Sequence, residues 1–261
     1  MTEPETTTID LNGFATRVWR KGKGPKLGFL AGYGGLPRWL PFLDALAKER
    51  TVIVPSLPGF PGGDRGHTVL DSHLDWVLTI RQLIEQSDLA GADLAGSSVG
   101  ASLAAETAAI WPGMVKRLCL IAPFGLFDDN EPPTDPWAQK ASDVPGLLCA
   151  DASNYTKMKE MPEGANSVEW PIEQTRANEA AARIFWPLGN TRLEKRLPLI
   201  QAPTLLVWGE NDRLIPRGYA DRIAKAIPAK SKITVIKGAG HLAELDKPDA
   251  VAKAMLAWTA A

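Results

Sequence analysis

Asp93-Leu94-Ala95-Gly96-Ser97-Ser98-Val99-Gly100-Ala101 is the stretch whose reading decides the fold. A short apolar run ends in Gly96-x-Ser98-x-Gly100, and the alanine-rich segment from Ala101 to Trp111 follows at helical spacing. A strand that turns this tightly into a helix lifts the residue at the turn above the sheet edge. Gly96 and Gly100 have no Cβ, so a strained turn and a close helix approach are sterically open there. Ala101, Ala104, Ala105 and Ala108 are small enough to let the helix lie against a sheet. Ser98 is therefore the candidate nucleophile, while Ser97 occupies the intervening position and is expected to point elsewhere.

Outward from this turn, short β-type runs alternate with helical ones. Thr8–Asp10 and Thr16–Trp19 flank Asn12-Gly13, a hairpin turn signal. Lys26 to Leu30, Thr51 to Val54, Val115 to Ile121, Pro203 to Trp208 and Ile233 to Ile236 read as further strands. Leu36 to Lys48, Val69 to Gln86, Gly218 to Ala226 and Pro248 to Trp258 have helical spacing. In the second of these, Leu74, Val77, Leu78, Ile80 and Leu83 are the apolar members. Strands separated by helices require parallel crossovers, with helices on both faces of the sheet. The expected fold is thus α/β, with a mostly parallel central sheet. Residues 124–197 break the rhythm with Pro132-Pro133, Trp137, Trp170-Pro171 and Trp186-Pro187, and show no βα unit. They read as an insertion folded over one end of the sheet, with Glu173 to Ile184 and Thr191 to Arg196 as its helices. Residues 1–123 and 198–261 form the core.

The 261 residues are 45% hydrophobic and 23% charged, with 29 Lys+Arg against 30 Asp+Glu. Such a balance supplies no electrostatic attraction to nucleic acid or to an anionic membrane. A small-molecule substrate is the expected partner, with a homodimer as the possible assembly. No run of about 18 apolar residues stands in the chain, so no membrane span is expected. The acidic opening Met1-Thr2-Glu3-Pro4-Glu5 leads into no apolar region, which argues against a signal peptide and for a cytoplasmic location. Cys119 and Cys149 are the two cysteines; Cys119 lies in an apolar run and reads as a small buried hydrophobe.

A serine hydroxyl needs an adjacent base to act as a nucleophile near neutral pH. The chain has three histidines, His67, His73 and His241. His241 follows Gly238-Ala239-Gly240 just after the last strand, in a loop able to project over the sheet edge. His73 sits on an amphipathic helix and His67 in a polar loop. An imidazole base needs a carboxylate to hold its tautomer. Asp212, in Trp208-Gly209-Glu210-Asn211-Asp212, is the first choice; Glu210, Asp128 and Asp129 are the alternatives.

With Ser98, Asp212 and His241 in that chain order, the sequence resembles the α/β-hydrolase superfamily. "PTLLVWGEND" at 203–212 and "GAGHLAELDKP" at 238–248 carry the resemblance together with the serine turn. It implies that 124–197 is a helical cap over the active site. It also implies an oxyanion loop, which in the family usually reads His-Gly-x-Gly and here reads Ala31-Gly32-Tyr33-Gly34. The backbone donors remain, but the usual anchoring histidine is missing. The N–H groups of Val99 and Tyr33 are the expected oxyanion hole, with Gly34 as the second choice in the loop. Trp137, Trp170 and Trp186 are expected either to line the substrate pocket, Trp137 and Trp186 first, or to hold the cap in place. The implied activity is cleavage of a small-molecule carboxylic ester through an acyl-enzyme. No metal or organic cofactor is expected, since neither a clustered ligand set nor a dinucleotide fingerprint is present. Hydrolysis of a carbon–carbon bond in ring-cleavage products is the catalytic alternative, although those relatives commonly carry Asn where Ser97 stands. A non-catalytic binding protein on the same fold is the other.

Overall fold

In a computed structural model, which describes residues 3–185 and 189–260, the Asn12-Gly13 turn joins β1 (Glu5–Leu11) to β2 (Phe14–Lys21). Both turn residues have positive φ, 57° and 86°, as a tight two-residue hairpin requires. The chain then alternates through β3 (Lys26–Leu30), α1 (Pro41–Ala47), β4 (Thr51–Pro55), α2 (His73–Gln86), β5 (Ala92–Ser97), α3 (Ser98–Ile110) and β6 (Val115–Ile121). The segment after β6 holds α4 (Val144–Leu148), α5 (Ala152–Lys159) and α6 (Glu169–Phe185). The core resumes with β7 (Thr204–Gly209), α7 (Gly218–Ala226), β8 (Ser231–Ile236), α8 (Ala243–Asp246) and α9 (Pro248–Ala260).

The eight strands form one sheet in the order β1-β2-β4-β3-β5-β6-β7-β8. β2 runs antiparallel to β1 and β4, and every pairing from β4 through β8 is parallel. All six residues of β7 are buried, and successive strand residues face opposite sides, so both faces of the sheet are covered. α1 packs on α9, and α2 on α3. The register aligns the C-terminal ends of the parallel strands. Leu30 pairs with Gly96, Ser97 with Ile121, Ile121 with Val207, and Gly209 with Ile236. The loops after β3, β5, β7 and β8 therefore leave the same edge, where ligands bind in open parallel sheets.

Five local expectations are corrected. The helix expected over Leu36 to Lys48 begins only at Pro41. The residue before a proline is held extended, and Leu40 (φ −104°, ψ 152°) becomes its N-terminal boundary. The helix expected from Val69 starts at His73, because Ser72 and Asp75 close a capping box there. On that helix Leu74 and Leu78 face outward rather than inward. Thr191 to Arg196 is not an α-helix: Arg192 is left-handed (φ 56°), and only a short 3₁₀ turn over Leu193–Lys195 follows. The α6 helix is longer than Glu173 to Ile184, because Pro171 lies in its first turn, where no N–H is missed. No helix among the described residues is long and apolar enough to cross a membrane.

Candidate active site

Ser98 is the first residue of α3 and has a φ of 52°. Such a conformation costs a non-glycine residue about 1–3 kcal/mol and persists only where its surroundings enforce it. The two glycines make it feasible. A Cβ on Gly96 would lie 2.5 Å from the Gly100 carbonyl, and one on Gly100 would overlap the carbonyl oxygens of Leu30 and Ala31. The helix thus starts directly against the end of β3.

His241 and Asp212 converge on this turn. Asp212 Oδ1 accepts the N–H groups of Leu214 and Ile215, both at 2.9 Å, leaving Oδ2 free to face the imidazole. His241 Nδ1 lies 2.9 Å from Oδ2, and His241 Nε2 lies 2.9 Å from Ser98 Oγ. An ionised carboxylate only accepts, so Nδ1–H donates to Asp212, and Nε2 is left to accept the Ser98 hydroxyl. Ser98 and His241 are fully buried. The histidine loop is tied from two sides: Asp246 Oδ2 accepts the N–H groups of Gly240 and Ala150 at 2.7 Å, and Leu242 N–H donates to Leu148 O. A Cβ on Gly240 would lie 2.5 Å from Ala150 N. Sequence reasoning did not single out Asp246; its place five residues after His241 was the available signal.

The alternatives lie elsewhere. Glu210 accepts the Gly238 N–H, and Asp128 pairs with Arg222 at 3.0 Å. His73 contacts Glu106 at 3.0 Å. His67 is buried rather than placed in an open polar loop, against Glu179 at 3.4 Å; burial pushes its pKa down, with Glu179 opposing. Cys119 is buried, which pushes its thiol far up.

Val99, second in α3, owns one of the helix-initial N–H groups that lack an intrahelical acceptor. The loop after β3 forms a turn closed by Gly35 N–H to Gly32 O at 3.0 Å, with Gly34 and Gly35 at φ 71° and 68°. Tyr33 is buried, and burial together with Asp135 pushes its phenol up to about 12. Its ring centroid lies 5.4 Å from that of Trp137, 6.5 Å from Tyr155 and 6.4 Å from Phe185. Phe124 stands edge-on to His241 at 5.6 Å. Beside these rings a cavity of about 300 Å³ opens between Phe124, Pro133, Pro136, Trp137, Ala182 and Phe185. Trp137 thus lines it, and Gly34 lies in the adjoining loop; Trp186 falls outside the described residues. Tyr155, Phe124 and Phe185 were not legible in advance, because isolated aromatics in an irregular segment carry no periodic signal. Among the described residues no group of three or more His, Cys, Asp or Glu side chains could hold a metal.

Residues 29–254 match the model of the alpha/beta hydrolase family. The chain belongs to this family. Among curated relatives, it is 29% identical over 254 residues to a dihydrolipoyllysine-residue acetyltransferase component of the acetoin cleaving system of Pseudomonas putida. That match takes in 90% of this chain but only 63% of the relative's length. It is 25% identical to human monoacylglycerol lipase ABHD6, over 91% of this chain and 76% of that protein. It is also 25% identical to the 2-hydroxy-6-oxo-2,4-heptadienoate hydrolase of Pseudomonas putida, over 93% and 88%. In three dimensions it superposes on the 2-hydroxy-6-oxo-6-phenylhexa-2,4-dienoate hydrolase of Rhodococcus sp. strain RHA1. That likeness has a TM-score of 0.80, 18% identity and full coverage of both chains.

Proposed function

We propose that this protein is a serine hydrolase that cleaves a carboxylic ester with a small to medium apolar acyl or alcohol group. The observation that carries the reading is the unbroken relay of two 2.9 Å contacts from Ser98 Oγ through His241 to Asp212. His241 Nε2 takes the Ser98 proton as Oγ attacks the ester carbonyl carbon. The carbonyl electrons move onto oxygen, and the N–H groups of Val99 and Tyr33 receive that oxyanion. Collapse breaks the ester C–O bond, and the imidazolium returns its proton to the leaving alcohol. A water, deprotonated by His241, then attacks the acyl-enzyme, and Ser98 leaves with the returned proton. Asp212 keeps the proton of the resting imidazole on Nδ1 and offsets the charge that develops on the ring.

Residues 124–197 act as the cap, and Trp137, Phe124 and Phe185 line the acyl or alcohol pocket. The lipase among the relatives supports an ester substrate; the dienoate hydrolase among them supports the carbon–carbon alternative. A fluorophosphonate should label Ser98 and abolish hydrolysis of a p-nitrophenyl ester; an unlabelled protein that stays active refutes the mechanism. Turnover of a dienol-type ketone above that of every ester in a panel of varied acyl length favours the carbon–carbon reading. Ser98→Ala separates an enzyme, which loses turnover but binds substrate, from a binding protein, which keeps its full biological activity.

A further inference from the structure

The oxyanion loop has an anchoring problem. The turn beyond Ala31 contains two consecutive glycines, Gly34 and Gly35, at positive φ. Glycine reaches that region readily but leaves it as readily, so a glycine pair does not hold one conformation by itself. A donor N–H that wanders stabilises an oxyanion poorly, because preorganisation is what makes such donors effective.

The anchor comes from the other side of the cleft. Lys159, in the last turn of α5, places Nζ 2.6 Å from the Gly34 carbonyl oxygen. Nζ and the Tyr155 hydroxyl crowd the same spot: a Cβ on Gly34 would lie 3.0 Å from the first and 3.2 Å from the second. The contact is reciprocated one residue on, where the Arg38 guanidinium, beyond the turn, donates to the Glu160 carbonyl. Arg17 on β2 holds the Leu36 carbonyl at 2.9 Å. Of these three clamps, only that of Lys159 acts on the glycine turn itself.

We infer that Lys159 is a positioning residue of the oxyanion hole: by holding the Gly34 carbonyl it fixes the turn that presents the Tyr33 N–H. The inference rests on the serine hydrolase reading above. It makes the seating of the cap and the geometry of the oxyanion hole one event, since the clamp is carried by the cap. Burial pushes the Lys159 ammonium down to about 7, with Glu173 drawing it back up. Both its charged and its neutral form retain N–H groups to donate.

The test compares wild type with Lys159→Met and Lys159→Arg in p-nitrophenyl ester hydrolysis. Each protein is also inhibited by a trifluoromethyl ketone, whose adduct with Ser98 carries an oxyanion, and by the product acid, which does not. Removing an oxyanion donor outright costs about 100- to 1,000-fold in kcat; loosening one should cost about 10- to 100-fold in Lys159→Met, with KM within about threefold. The ketone should lose affinity by a similar factor and the product acid by less than about threefold, while Lys159→Arg restores much of kcat. A kcat for Lys159→Met within about twofold of wild type overturns the inference, as does a parallel loss of ketone and product affinity. If Lys159→Met does not fold, Lys159→Ala decides. It likewise lacks any side-chain donor, and an undiminished kcat in it is equally fatal. Wild type that is neither labelled by a fluorophosphonate nor active on any ester removes the hydrolase reading itself. A labelled, active wild type matched by its Lys159→Met variant removes the positioning role alone.

Discussion

Asp212→Asn changes one atom of the carboxylate, and the surrounding hydrogen bonds dictate which way the new amide points. Oδ1 of Asp212 accepts two backbone N–H groups, from Leu214 and Ile215. An asparagine must keep its carbonyl oxygen there, since its NH₂ would otherwise face two donors. Its NH₂ then points at His241 Nδ1, now 2.9 Å from Oδ2. A donor at that position makes Nδ1 the acceptor and moves the ring proton to Nε2, the atom that faces Ser98 Oγ. The base is thereby blocked without any change of shape. A wrong-tautomer imidazole of this kind has cost a serine protease about 10⁴ in kcat, equivalent to about 5 kcal/mol of transition-state stabilisation. The assay is steady-state hydrolysis of a p-nitrophenyl ester at pH 7.5, with the rate of fluorophosphonate labelling as a second measure. Both should fall together while the melting temperature stays close to wild type. A variant that keeps more than about a tenth of wild-type kcat refutes the assignment of Asp212 as the orienting carboxylate.

Glu106, fully buried on α3, receives Arg196 through both of its oxygens and His73 at 3.0 Å. Burial alone would raise its pKa, but Arg196 and His73 outweigh it and hold the carboxyl below the usual range. Glu106→Gln should cost about 2–4 kcal/mol, discounted because Arg196 is partly exposed, which is a fall of roughly 4–8 °C in melting temperature. A depressed carboxylate stabilises above its unfolded pKa and loses that contribution as pH falls through the folded one. The gap between wild type and variant should therefore close in acid, and an equal gap at pH 3 and pH 7 contradicts this. Glu244 behaves oppositely: burial raises its carboxyl, with Ser97 opposing. A raised acid loses stability as pH rises, so Glu244→Gln should gain on wild type in melting temperature between pH 5 and pH 8, and a constant difference refutes it. Gly100→Ala would drive a methyl into the carbonyls of Leu30 and Ala31 and should destabilise by at least about 2 kcal/mol, measured by urea unfolding. A midpoint unchanged from wild type would show that the turn can relax.

The strand-turn-helix at Ser98 was legible because its sterics are local: two glycines, a serine between them and a small-residue helix behind. The strands of the parallel core were legible for the same reason, since apolar runs of five to seven residues between helices admit few other arrangements. Boundaries decided by proline and capping chemistry, at Leu40 and Ser72, moved by several residues from the periodic pattern. In 124–197, the reading of Thr191 to Arg196 as a helix did not survive the left-handed Arg192, which no periodicity announces.

From its sequence alone, this chain determined a parallel sheet with a serine at a strained turn, and a histidine and an acid after the last two strands. Each is a pattern confined to a few neighbouring residues, and the three recur at the same sheet edge. Only the tertiary structure decided that Lys159 meets Gly34, 125 residues away, and that Glu106 meets Arg196, 90 residues away. Neither partner carries a local signature, because a lysine on a short helix and a glutamate among alanines have many solvated alternatives. Which one is realised depends on where the packed core brings distant backbone to rest.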